Sequence, residues 1–241
     1  MQQSRRERLR ETTHQEIKDH ARQQMYEGGG VAAISLRGIA QNMGMTAPAI
    51  YRYFPSRDDL VTALIVDGYT ALGDAIHAAC ATQPEESYAN RFYLAALAYR
   101  AWALAQPADF DLIFGRPLPN YQAPVELTVP LVQRAFTPFM ENLQKAWDEG
   151  RLNLPPSYIE ASPELKPYLT EWLDKTGNQL ALPVIHFSLA KWGQMHGMIA
   201  LELNGQLHPM ASAGVTELYQ FEIRSLLHTI GLPITEFETP T

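Results

Sequence analysis

Apolar residues recur at intervals of three and four almost throughout this chain, and strand-like alternation is scarce. That period belongs to the α-helix, whose side chains return to one face about every 3.6 residues. An all-α fold is therefore expected. The spacing predicts helices from about Leu9 to Glu27, from Ser35, from Thr46 to near Phe54, and from Ser56 to roughly Cys80. Further helices are expected near Tyr88–Ala105, Pro107–Phe114, Val129–Glu149, Pro163–Lys175, Pro183–Asn204 and Ala213–Ile230. Gly28–Gly30 should end the first, because glycine is a poor helix former and a good C-terminal cap. The proline-rich runs GRPLPNYQAP and RLNLPPSYIEASP read as connections, the second as a partly ordered flap.

Within that pattern, Ser35–Leu60 is the most specific stretch. It holds two short helical segments with Gly44 between them. Leu36, Ile39, Ala40 and Met43 make the buried face of the first; Ile50 and Phe54, four apart, make that of the second. Ser35 and Thr46 stand where N-caps belong, and Pro48 sits in a first turn, where its missing N–H removes no hydrogen bond. Two short helices joined by a glycine turn and braced by a third form a helix-turn-helix, whose second helix leaves one side free for a major groove. That free side carries Thr46, Ala47, Pro48, Tyr51 and Tyr53, with Arg52 and Arg57 close by. A core needs neither the tyrosines nor the arginines, whereas a DNA backbone is met by both.

Charge supports the same reading. The net charge is -7. Residues 1–57, however, hold nine Lys/Arg against five Asp/Glu, and the remainder ten against twenty-one, so a +4 head precedes a -11 body. Arg5, Arg6, Arg8 and Arg10 form a basic arm over residues 1–12, read either as a frayed end or as a phosphate-binding segment that orders on contact. With 46% hydrophobic and 19% charged residues the composition is globular. No apolar run approaches the roughly 20 residues of a membrane span. The polar N-terminus and the single Cys80 point to a cytoplasmic protein without disulfides or a cysteine zinc site. The chain has no GxGxxG, HExxH or GxSxG pattern, and no two histidines lie four apart. No catalytic residue, metal site or cofactor is expected, so the expectation is not an enzyme.

The run LRGIAQNMGMTAPAIYRYFPSRDDL resembles the DNA-binding head of the TetR family of bacterial repressors, through Ile39-Ala40, Gly44, Thr46, Ile50-Tyr51, Phe54, Arg57, Asp59 and Leu60. Tyr53 and Arg57 replace the family's usual histidine and lysine, and each keeps a phosphate donor. YRAWALAQPADFDLIFG and KWGQMHGMIALELNGQL are similar to a ligand-domain subfamily marked by Trp and His-Gly, here Trp192, His196 and Gly197. The resemblance implies a helix-turn-helix domain over 1–57, a connecting helix over 58–82, and an effector-binding and dimerisation bundle over 83–241. Ser35, Arg37, Thr46, Ala47, Pro48, Tyr51, Tyr53 and Arg57 would then contact DNA.

The aromatic residues Tyr99, Trp102, Phe110, Phe114, Phe136, Phe139 and Trp147 read as plain core or as a pocket lining. The resemblance tips the first six toward an effector cavity suited to a small hydrophobic or aromatic molecule. Ile185, Leu189, Trp192, His196, Ile199 and Leu203 alternate at spacings of four and three, and Tyr219, Ile223, Leu226 and Ile230 make a second stripe. Spacing does not say whether these seams pack within one subunit or between two; the resemblance implies a four-helix homodimer interface. The function it implies is a ligand-released repressor of a palindromic double-stranded DNA operator. The alternative is a small-molecule sequestering protein with a degenerate head.

Overall fold

The computed structural model describes residues 4–234, and among them there are helices and no strand. The order is α1 (Arg5–Gly28), a 3-10 turn (Val31–Ala33), α2 (Leu36–Asn42), α3 (Ala47–Ile50), α4 (Arg57–Ala81), α5 (Tyr88–Ala105) and α6 (Pro107–Phe114). It continues with α7 (Val125–Asp148), α8 (Pro156–Ile159), α9 (Lys166–Thr176), α10 (Leu182–Leu203), α11 (His208–Ala211) and α12 (Val215–Thr229). The packing forms two compact units: residues 1–71 with 105–132, and residues 72–104 with 133–241. Residues of α4 and of α7 belong to both.

In the first unit the helix ends follow from local chemistry. Ser4 and Glu7 form a capping box: the Glu7 N–H donates to the Ser4 hydroxyl at 3.2 Å, and the Ser4 N–H donates to the Glu7 carboxylate at 2.7 Å. α1 therefore begins at Arg5, and Arg5–Arg10 belong to a helix, which corrects the expected frayed arm. Residues 1–3 of that arm lie outside the described residues. Gly29 closes α1 at φ 73°, a conformation that glycine adopts without a Cβ penalty. Ser35 caps α2 by accepting from the Gly38 N–H at 3.2 Å, and its own N–H donates to the Gln24 side chain at 2.8 Å. Gly44, at φ 65°, makes the turn into α3. Regular α-helix lasts only four residues there, after which hydrogen bonds from Arg52, Tyr53 and Phe54 back to Ala49 and Ile50 carry the turns on. Ile17, Ala21, Ile39, Ala40, Ile50, Phe54, Leu60 and Leu64 fill one core. Ala40 is buried, as the close approach of α2 and α3 requires.

Residues 105–132 join this unit through an ionic contact. The Arg22 guanidinium on α1 donates to both carboxylate oxygens of Asp109 on α6, at 2.9 and 3.1 Å, and Asp109 is 3% exposed. Arg22 and Lys18 also reach Asp67 on α4, at 3.4 and 2.7 Å.

The second unit is built around α5, whose buried residues surround its whole circumference. Arg91 closes the C-terminal end of α4 by donating to the carbonyls of Cys80 and Gln83, both at 3.2 Å, and to Asn142 on α7. Arg100 on α5 grips Glu202 on α10 with two bonds, at 2.7 and 2.5 Å. The Tyr219 hydroxyl on α12 donates to the Ala96 carbonyl at 3.1 Å. The connection expected as a flap is packed instead: Leu152 and Leu154 are buried, the Asn153 N–H donates to the Ile230 carbonyl at 2.8 Å, and α8 lays Tyr158 against Phe187.

Candidate functional site

In the head, the recognition segment is seated from below and open above. Ile50 and Phe54 are buried, while Thr46, Ala47, Pro48, Tyr51 and Arg52 are exposed. Tyr51 is 40% exposed. Arg52 lies beside it with the same freedom, an exposed cation that the sequence pattern did not single out as a contact. Arg37 projects from α2 into solvent. The Ser35 hydroxyl is exposed but engaged in its cap.

Two of the expected phosphate donors are placed otherwise. Tyr53 is half-buried, with its ring edge-on to His14 at 5.1 Å between centroids. His14 makes the same contact with Phe54 at 5.0 Å. Burial holds the His14 pKa below its ordinary value, and the Arg10 charge adds to the effect. Arg57 turns inward: Nη2 donates to the Val31 carbonyl at 2.7 Å and Nε to the Ile34 carbonyl at 3.2 Å. Its guanidinium thus ties the start of α4 to the 3-10 turn, which corrects its reading as a freely available phosphate contact.

In the second unit a cluster of rings surrounds His196. The Tyr99 hydroxyl and His196 Nδ1 are hydrogen-bonded at 2.7 Å. Trp192 lies 5.3 Å from the His196 ring, Phe136 lies 6.0 Å from Trp192, and Tyr99 meets Phe136 edge-on at 5.8 Å. Phe139 extends the group, 6.5 Å from Phe136. Burial pushes the His196 pKa below its ordinary value, which favours a neutral imidazole. The six residues expected to line one cavity do not all share a unit. Tyr99, Trp102, Phe136 and Phe139 belong to the second; Phe110 and Phe114, 5.2 Å apart, belong to the first, where Phe114 also meets Tyr69.

The expected dimer seams divide in a similar way. Ile185, Ile199, Tyr219, Ile223 and Ile230 are buried within the single chain, so these positions are corrected to internal packing; Trp192 and His196 are half-buried, with their rings against one another. Leu203 and Leu226 are half-buried, and Leu189 is 49% exposed. The outward apolar positions on the last two long helices are Leu189 and Leu201 on α10 and Phe221 on α12. A Cβ built on Gly193 or Gly197 of α10 meets nothing within 4 Å.

Among the described residues no group of His, Cys, Asp and Glu is arranged to hold a metal, and no helix is long and apolar enough to cross a membrane.

Residues 17–64 match the family described as bacterial regulatory proteins, tetR family, and residues 92–226 match the tetracyclin repressor-like C-terminal domain. HTH-type transcriptional regulators of Mycobacterium tuberculosis and Mycobacterium bovis are 31% identical over 201 residues, spanning 82% of this chain and 83% of theirs. The solved structure of the regulatory protein SCO4313 is 33% identical with a TM-score of 0.70, covering 93% of this chain and all of that one. A Rhodococcus protein of unknown function shares the fold at 18% identity and a TM-score of 0.67, over 90% of this chain and 95% of its own. With a helix-turn-helix head and a helical C-terminal domain both matched, this chain belongs to the TetR family of bacterial transcriptional regulators.

Proposed function

We propose that this regulator is a repressor that binds a palindromic operator as a homodimer and is released by a small hydrophobic or aromatic effector. The observation that carries the proposal is the open face of the recognition segment. Ile50 and Phe54 anchor it, which leaves Thr46, Ala47 and Pro48 free to meet base edges and Tyr51, Arg52 and Arg37 free to meet phosphates. Ala47 and Pro48 offer no hydrogen-bonding side chain, so their readout is by contact with a thymine methyl or by shape.

Dimerisation would use the outward face of α10 and α12: Leu189, Leu201 and Phe221, with Gly193 and Gly197 permitting close approach. Two-fold symmetry then sets the recognition segments about 34–36 Å apart, or a larger multiple of the DNA turn. The rings around His196 would receive the effector, since apolar walls with a few polar groups suit an uncharged aromatic molecule. In functional terms, residues 1–57 read DNA, 58–82 connect and 83–241 sense. An effector favouring a state with misplaced heads would lower operator affinity; a coupling of about 3 kcal/mol changes it on the order of 100-fold.

Titration of the purified protein with duplexes from its own upstream DNA tests the proposal. Sequence-specific binding that weakens steeply with salt is expected, with roughly tenfold loss in Tyr51→Ala, about 1.4 kcal/mol for a lost phosphate hydrogen bond. Equal affinity for upstream and unrelated duplexes would leave the sequestering alternative.

A further inference from the structure

The first turns of α1 extend beyond the core of the head. Ile17 is the first buried residue of that helix, and Arg5 to Thr12 are all exposed. From Ile17 back to Arg5 the helix runs about 18 Å, at roughly 1.5 Å per residue. The match to the family's head begins only at residue 17, so this extension lies outside it.

The spur is ordered at its tip but built against its own local electrostatics. The capping box of Ser4 and Glu7 holds the first turn in helical form. Arg5, Arg6 and Arg8 nevertheless occupy the first turn at the positive end of the helix dipole, where cations are unfavourable, and Arg10 follows in the next turn. Arg6 and Arg10 stand one turn apart as like charges on one face. Glu7 is engaged in the cap, and among the described residues none of the four guanidiniums is in an ion pair. Breaking local rules on an exposed, well-capped helix marks a surface kept for a partner. The direction of the surface is set by His14. It follows Arg6 and Arg10 at helical spacings of four, and its ring packs on Tyr53 and Phe54 at the end of the recognition segment. The basic face therefore continues past that segment on the same side of α1.

We propose that this spur is a second DNA-contacting element, a preformed basic rod that engages the phosphates flanking each half-site. The inference rests on the DNA-binding reading above and adds a footprint to it. A rod already helical before contact avoids the ordering entropy that a disordered arm would lose. Arginine–phosphate contacts carry no base information, so the spur adds affinity and salt dependence without adding discrimination.

The test compares the full-length protein with a chain carrying Arg5→Ala, Arg6→Ala, Arg8→Ala and Arg10→Ala, after circular dichroism shows helicity retained apart from the spur. The logarithm of affinity against that of salt should become shallower by up to about 3.6 for each spur, at roughly 0.9 per phosphate. Hydroxyl-radical protection should shorten at its outer flanks, and the ratio of operator to random-duplex affinity should stay constant. Four lysines at the same positions should restore the slope. An unchanged slope and footprint in a variant that still binds its operator would overturn the spur alone, as would failure of the lysine chain to recover. A change in the discrimination ratio would show base reading and overturn the phosphate assignment. A wild-type protein that binds no DNA specifically would overturn the underlying reading as well.

Discussion

Arg57 and Tyr51 show how two side chains with the same expected task are separated by what lies behind them. Tyr51 stays exposed to solvent. Arg57 has the carbonyls of Val31 and Ile34 within reach at the end of the 3-10 turn, and hydrogen bonds to a charged donor are among the stronger ones. Arg57→Ala should therefore lower the stability of the head by about 2 kcal/mol, read from urea melts followed by circular dichroism, and Arg57→Lys should recover only part of it. An unchanged midpoint would return Arg57 to a purely external role. The cap at Ser35, the stop at Gly29 and the turn at Gly44 were legible because each acts on neighbours a few residues away; the capping box of Ser4 and Glu7 was not, and the first helix starts earlier than the spacing places it. Arg57 was not legible either, because its partners lie 23 and 26 residues distant and no local pattern records such a reach. Two half-buried histidines add a pH dependence. Partial burial lowers the pKa of both His14 and His196, so each resists protonation more in the folded chain than in the unfolded one. Their contribution is present above the unfolded value of about 6.5 and is lost as the pH falls toward the folded values. Denaturation midpoints should fall between pH 7.5 and 5.5, and the fall should be smaller in His14→Gln or His196→Gln; equal slopes in all three chains would contradict this.

At the scale of elements, helix existence was written in the spacing, and α5 and α6 fall where the sequence places them. The orientation of α10 was not. Apolar residues occur nearly all round it, so a four-three stripe through Ile185, Trp192 and Ile199 is as good a seam by spacing as the one through Leu189. Only the packing of α10 against its neighbours in the second unit decides which stripe is internal, and that information is tertiary. The outward stripe gives a direct expectation: Leu189→Glu with Phe221→Glu should shift sedimentation from dimer to monomer with helicity intact, because buried charge at an apolar interface is costly. A dimer that survives both changes would place the interface elsewhere. The association of α6 with the head was equally hidden, since it depends on Arg22 finding Asp109 across 87 positions of sequence.

At the scale of the whole molecule, the +4 head and -11 body give one end of the chain an affinity for polyanions that the rest lacks. The spur places four of the head's nine cations on one projecting rod, and the recognition segment offers Tyr51 and Arg52 beside it. If two such heads are held by a symmetric interface, the pattern on DNA is fixed by geometry and not by the identity of any effector. The measurement that tests this most directly is a hydroxyl-radical footprint of the wild-type protein on the DNA upstream of its own gene. The expected result is a pair of symmetric protected half-sites whose centres are separated by a whole number of helical turns, on one face of the duplex, and reached only at roughly tenfold higher protein concentration with Tyr51→Ala. Uniform protection without half-sites, or protection that Tyr51→Ala reaches at the same protein concentration as the wild type, would contradict it.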